Sequence, residues 1–197
     1  MERELIATGI GGQGVQLAAQ IVARAAVHDG LEVQMFGSYG GMMRGGNTDA
    51  ALVLAQGPVM APPVVAHGWL GMAMHHAYLP GLVEKLRPDS VLFVNTSVVE
   101  GETGFAGRIV EIPATDVAVD AASLMCASIV MLGVIAGSTG LLTRAAIEAA
   151  IDESLPPYRQ QHRDLNKAAL AAGLDAAEAV DDLPAAWSSS TVMESAR

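Results

Sequence analysis

A single α/β domain, doubly wound, with a mainly parallel open sheet and helices on both faces, is predicted by three features of this sequence. First, the apolar run Leu5-Ile6-Ala7 passes through a glycine-rich turn, Gly9-Ile10-Gly11-Gly12-Gln13-Gly14, into a helical stretch from Val15 to His28. Second, short apolar runs alternate with helical segments along the rest of the chain, the pattern of strands with crossover helices. Third, the 197 residues are 51% hydrophobic but only 4% aromatic. That length buries a sizeable core, which Ala, Val, Leu, Ile and Met must fill.

Taken in order, the second strand reads Leu31 to Phe36 and runs into a loop from Gly37 to Thr48. Thr48 to Ala55 is a third strand, closed by the breakers Gln56-Gly57-Pro58 and Pro62-Pro63. Trp69 to Met74 forms another strand and feeds a helix from His75 to Leu86. Arg87-Pro88-Asp89-Ser90 reads as a turn before the short buried strand Val91-Leu92-Phe93-Val94. Arg108 to Ile112 suits an edge strand, and a long apolar helix follows Pro113. Thr143 caps the next helix, with Ile147 and Ile151 four apart on one face. Pro156-Pro157 opens a last helix that Gly173 ends. The domain is placed at residues 1–180, Rossmann-like, and residues 181–197 are expected to form a flexible or partner-docked tail.

The glycine turn suits an anion. Glycines allow a tight turn and close approach of a ligand, and a helix N-terminus presents unpaired N–H groups with a partial positive charge. Gly9, Gly11 and Gly14 satisfy G-x-G-x-x-G. A nicotinamide dinucleotide site also wants an acid at the end of the second strand, for the ribose hydroxyls. Here Glu32 stands at the beginning of that strand, so the specificity element is missing. In its place comes a second glycine-rich loop, Gly37-Ser38-Tyr39-Gly40-Gly41-Met42-Met43-Arg44-Gly45-Gly46-Asn47-Thr48. Arg44 offers a planar fork of donors for phosphate or carboxylate, and Ser38, Tyr39 and Asn47 add polar groups. The plainer alternative is a hairpin whose arginine pairs with a nearby acid such as Asp49.

Together these two segments resemble the gamma subunit of the 2-oxoacid:acceptor oxidoreductases, the pyruvate, 2-oxoglutarate, branched-chain 2-oxoacid and indolepyruvate ferredoxin oxidoreductases. Met131-Leu132-Gly133 and the stretch from Leu165 to Gly173 agree, so the resemblance covers roughly residues 3 to 175. It departs where Gly41-Met42 replaces a common Pro-Glu, where His67 replaces an Asp, and where Ser128 replaces an Asn. The resemblance implies oxidative decarboxylation of a 2-oxoacid to acyl-CoA, with ferredoxin or another acceptor reduced. For this chain it implies a structural and coenzyme-A-handling role, through Gly9, Gly11, Gly12, Gln13, Gly14, Ser38, Tyr39, Gly40, Arg44, Gly45, Gly46 and Asn47, with no catalytic residue of its own. Coenzyme A is then a co-substrate; thiamine diphosphate, magnesium and iron–sulfur clusters are expected on partner subunits. A nicotinamide- or flavin-binding oxidoreductase and a non-catalytic scaffold subunit are the alternatives.

Other functions fare worse. A formal charge of −10 argues against nucleic-acid binding, which needs a basic face, and suits a basic face on a partner. Cys126 is the only cysteine, so the chain can form no internal disulfide and ligate no cluster alone; among Met125, Ala127 and Ile129 it reads as packing. Ala121 to Thr143 carries no charge and is long enough to span a bilayer. It is rich in small residues without an aromatic belt or basic flank, so a buried helix is expected. His67, His75 and His76 lack an acid or cysteine at helical spacing, and adjacent histidines on a helix diverge by about 100°. Ser38 fails the G-x-S-x-G pattern because Phe36 stands two places before it. Met1-Glu2-Arg3-Glu4 passes directly into a strand, so no leader is read and a cytoplasmic location is expected.

Overall fold

The computed structural model describes residues 1–39, 46–60, 65–155 and 160–188. Six strands form one sheet: β1 (Glu2–Ile10), β2 (Glu32–Tyr39), β3 (Asn47–Ala55), β4 (Gly68–Ala73), β5 (Leu86–Asn95) and β6 (Arg108–Ile112), in the order β2-β3-β1-β4-β5-β6. β1, β4, β5 and β6 are mutually parallel, while β3 runs antiparallel to both β1 and β2. The reversal has a local cause. A 14-residue helix, α1 (Val15–His28), separates β1 from β2, but the short span between β2 and β3 allows only a hairpin. The sheet is therefore mainly parallel, as expected, with one reversed strand beside β1.

Helices cover the two faces unequally. α1, α3 (Ala114–Ala121), α4 (Ala127–Thr139), α5 (Arg144–Ser154) and α6 (Gln160–Ala177) form a thick layer on one face, over Leu5, Leu52, Leu70 and Phe93. On the other face, among the described residues, the 3₁₀ turn His76–Tyr78 and the short α2 (Leu79–Val83) pack on Ile6, Leu92 and Val94, together with Val99 and Phe105. α4 is buried on every side, 11 of its 13 residues being inaccessible. Such a helix belongs inside a protein or a membrane; here α6, α3 and the sheet enclose it. Among the described residues no helix is long and apolar enough to cross a membrane. Cys126, just before α4, is a buried packing residue whose thiol burial pushes its pKa up.

Several expectations are corrected. The helix from His75 to Leu86 is only a 3₁₀ turn followed by α2, because Leu86 already pairs with Gly68 in the sheet. Arg87-Pro88-Asp89-Ser90 is not a turn but a bulge in β5. The register jumps from Gly68–Leu86 to Leu70–Val91, which leaves Pro88 where no ladder N–H is needed. The apolar helix after Pro113 is broken at Ala122–Ser123 into α3 and α4. Gly173 lies inside α6 rather than ending it. Thr143 does cap α5, its hydroxyl accepting from the Ala146 N–H, and Ile147 and Ile151 are fully buried. Pro156-Pro157 lies outside the described residues. Up to Ser188 the tail docks on the chain's own body: Ala186 is fully buried, its N–H donates to Thr139 O, and Trp187 Nε1 donates to Leu141 O.

Candidate functional site

The site is set by where the connections go. β1 sends α1 over one face and its parallel neighbour β4 sends α2 over the other. Adjacent parallel strands whose connections part in this way leave a crevice at their C-terminal ends, the usual ligand position in open α/β sheets. The glycine turn lies in that crevice.

Three glycines of the turn are required by its geometry. Gly9 is the penultimate residue of β1; a Cβ there would stand 2.7 Å from Gln13 Oε1 and 2.8 Å from Val15 Cγ2. Gly12 and Gly14 have φ of +107° and +78°, conformations that other residues adopt only with strain. Gln13 is the staple of the turn: its Oε1 accepts from the Ile10 N–H at 2.9 Å and its Nε2 donates to Met74 O at 2.8 Å. One side chain thereby fixes the crevice walls to each other, so its amide is taken up by the fold. Gly14 is the N-cap of α1 and no side chain caps that helix. Its first turn therefore keeps its anion-binding character.

The second segment meets the first here. Gly11 N–H donates to Gly46 O at 3.0 Å, and Asn47 pairs with Ile10 in the sheet. Ser38 and Tyr39, expected in a loop, extend β2 and pair with Asp49 and Thr48. Gly46 and Asn47 flank the start of β3. Gly40, Arg44 and Gly45, with Gly41 and Met42, lie outside the described residues.

Three residues missed from the sequence complete the corner. Asp49 Oδ1 accepts from Thr8 Oγ1 at 2.6 Å, and Oδ2 accepts from Asn47 Nδ2 at 2.9 Å. Gln16 Nε2, from the first turn of α1, donates to Asp49 O at 2.7 Å. The sequence offers Asp49 only as a partner for Arg44. It allows a hairpin between β2 and β3, but nothing in it says that β3 then lies against β1 and so sets Asp49 beside Thr8, near the C-terminal end of β1. On the opposite side of the turn, Ser128 of α4 is buried with its hydroxyl unpartnered, 2.7 Å from where a Gly14 Cβ would be. The His75 and His76 rings stack, centroids 4.3 Å apart, because His75 is extended backbone before the 3₁₀ turn rather than part of a helix. Among the described residues no group of three His, Cys, Asp or Glu side chains is placed to hold a metal ion.

Residues 4–176 match the profile described as pyruvate ferredoxin/flavodoxin oxidoreductase. The chain belongs to that family. It is similar to the 2-oxoglutarate synthase subunit KorC of Methanothermobacter thermautotrophicus, at 33% identity over 82% of this chain and 89% of the relative. Its likeness to the pyruvate synthase subunit PorC of Thermotoga maritima is 31%, over 85% of this chain and 90% of the relative. Among solved structures, the gamma subunit of keto/oxoacid ferredoxin oxidoreductase from Geobacter sulfurreducens superimposes with a TM-score of 0.77. That pair is 26% identical, over 90% of this chain and 99% of that one. The chain is thus a gamma-type member of the pyruvate ferredoxin/flavodoxin oxidoreductase family, and the crevice at Gly9–Gly14 is its candidate site.

Proposed function

We propose that this chain is the coenzyme-A-handling gamma subunit of a thiamine-dependent 2-oxoacid:acceptor oxidoreductase. Partner subunits carry thiamine diphosphate, magnesium and the iron–sulfur clusters, and ferredoxin or a similar acceptor takes the electrons. The observation that carries the reading is the meeting of both glycine segments, through Gly11 N–H and Gly46 O, at the uncapped N-terminus of α1. An uncapped helix start offers N–H groups to the diphosphate of a nucleotide, and Arg44 supplies the positive charge. The chain itself supplies no acid, base or nucleophile to the oxidation; it binds and orients. Relatives of nearly equal identity act, by name, on 2-oxoglutarate and on pyruvate. The choice of 2-oxoacid therefore belongs to the partners.

The test is reconstitution. Affinity purification from the native cell should bring down larger thiamine- and cluster-bearing chains. Reduction of the acceptor by 2-oxoacid plus coenzyme A should need this chain. Recovery of a monodisperse monomer that is active alone, or of full coenzyme-A-dependent activity without the chain, sinks the reading.

A further inference from the structure

Three of the six large apolar side chains exposed among the described residues fall in one short stretch. Val119 on α3 is 56% exposed, and Leu124 and Met125 are 60% and 64% exposed. The last two sit in the 3₁₀ turn Leu124–Cys126, which joins α3 to α4. Ser123 caps that turn, its Oγ accepting from the Met125 N–H at 3.4 Å. Successive side chains in a 3₁₀ turn point about 120° apart, so they cannot all face inward. The one that does is the small Cys126, which is buried. A turn that served packing alone would bury the leucine, which gains more from leaving water. An apolar patch turned outward in this way marks a docking surface, and methionine's flexible side chain suits one.

The charges around the patch say what docks there. From Ile109 to Thr143 the chain carries Glu111, Asp116 and Asp120 and no Lys or Arg. α6 packs against α3, and from Ala168 to Ser188 four more acids occur, again with no base. All seven acids are exposed. The nearest bases in sequence are already engaged: Arg108 donates to Asp181 O, Arg163 to Leu155 O, and Lys167 pairs with Asp152. A second copy of the chain would set this acidic side against itself, a like-charge contact. Anionic lipid would be repelled in the same way. The matching surface is an apolar socket rimmed by Lys and Arg.

We propose that Val119, Leu124 and Met125, in their acidic surround, dock a thiamine- or cluster-bearing subunit of the same complex through such a socket. The assignment rests on the functional reading above and adds which face meets the partner. Met125 O lies 3.5 Å from where a Gly14 Cβ would be, so the docked subunit abuts the start of α1.

The partner subunits, purified from a strain lacking this chain, are titrated with the chain and the Kd is read by calorimetry. Leu124→Glu with Met125→Glu should raise the Kd about 100-fold, as loss of a central apolar anchor does. Leu124→Ser with Met125→Ser should raise it about tenfold, and serves if the glutamate pair fails to fold. Asp120→Lys should raise it about three- to tenfold at low salt, an effect that fades in 0.5 M NaCl. Val27→Glu, at a residue 65% exposed on α1, should leave it unchanged. Thermal unfolding of each variant should stay within about 2 °C of wild type, since all these positions are on the surface. A wild-type Kd in both the glutamate and serine pairs overturns the docking face and leaves the functional reading standing. So does self-association of the chain, or binding to phosphatidylserine vesicles, that the pairs abolish while partner binding persists. Failure of the wild-type chain to bind any thiamine- or cluster-bearing subunit overturns both.

Discussion

Gly133 of α4 and Gly173 of α6 meet backbone to backbone: a Cβ on Gly133 would stand 2.9 Å from Gly173 Cα and 2.6 Å from Leu170 O. The two helices pack closely at this pair. Both neighbouring groups are main chain, so no side-chain rotation can make room. Gly173→Ala should therefore cost about 1–3 kcal/mol despite alanine's better helix propensity. For a chain of this size that is roughly 2–4 °C of melting temperature per kcal/mol. Gly81→Ala, in a helix but in open space, should be neutral or stabilising by up to about 1 kcal/mol. Equal effects of the two changes in thermal unfolding would show that the packing is looser than described.

That pair also marks the limit of sequence reading. A glycine after Leu170-Ala171-Ala172 looks like a helix stop, and only the presence of α4 against it shows that it is a contact. The same holds at the site. The glycine turn, α1 and the edge strand β6 are local patterns and were legible. The insertion of β3 between β2 and β1 is not, and it places Asp49 next to Thr8. Arg87-Pro88-Asp89-Ser90 has the composition of a turn, yet pairing with β4 on either side holds it as a bulge.

Ser128 should be dispensable for stability, although it crowds Gly14. Its hydroxyl is buried without a partner, so Ser128→Ala removes an unsatisfied group and should leave stability unchanged or raise it by up to about 1 kcal/mol. Gly14→Ala should be destabilising twice over, through φ +78° and through the approach to Ser128 Oγ. In the double variant part of that loss should return. Strictly additive unfolding energies from a denaturant double-mutant cycle would refute the contact.

His75 should make stability pH-dependent. Its Nδ1 accepts from the Ala77 N–H at 3.2 Å and caps the 3₁₀ turn, which requires a neutral ring. Burial, then the neighbouring His76, holds its pKa below the ordinary 6.5. The folded state binds the proton less readily than the unfolded chain. This contribution is therefore complete above about pH 6.5 and is lost as pH falls through the depressed value. Urea unfolding at pH 7.5 and 5.5 should show a smaller decline for His75→Asn, which can still accept from the N–H. An identical decline in both proteins would remove His75 from the account.

Arg44 gives the most direct test of the coenzyme A reading. It is the only Lys or Arg between Arg24 and Lys85, so no neighbour in sequence can replace it. If it holds a phosphate of coenzyme A, Arg44→Ala removes a charge-assisted contact worth roughly 1.5–3 kcal/mol. The KM for coenzyme A should then rise about 10- to 150-fold in the assembled complex. The KM for the 2-oxoacid should change little, because the proposed function assigns that substrate to partner subunits. Arg44→Lys should recover only part of the loss, since a single ammonium cannot reproduce the bidentate fork. Raising the salt concentration should narrow the gap between wild type and Arg44→Ala, as screening weakens the charge that the variant lacks. An unchanged coenzyme A constant together with failure of the subunits to assemble would make Arg44 an interface residue, and the scaffold role would then be the better description of the chain.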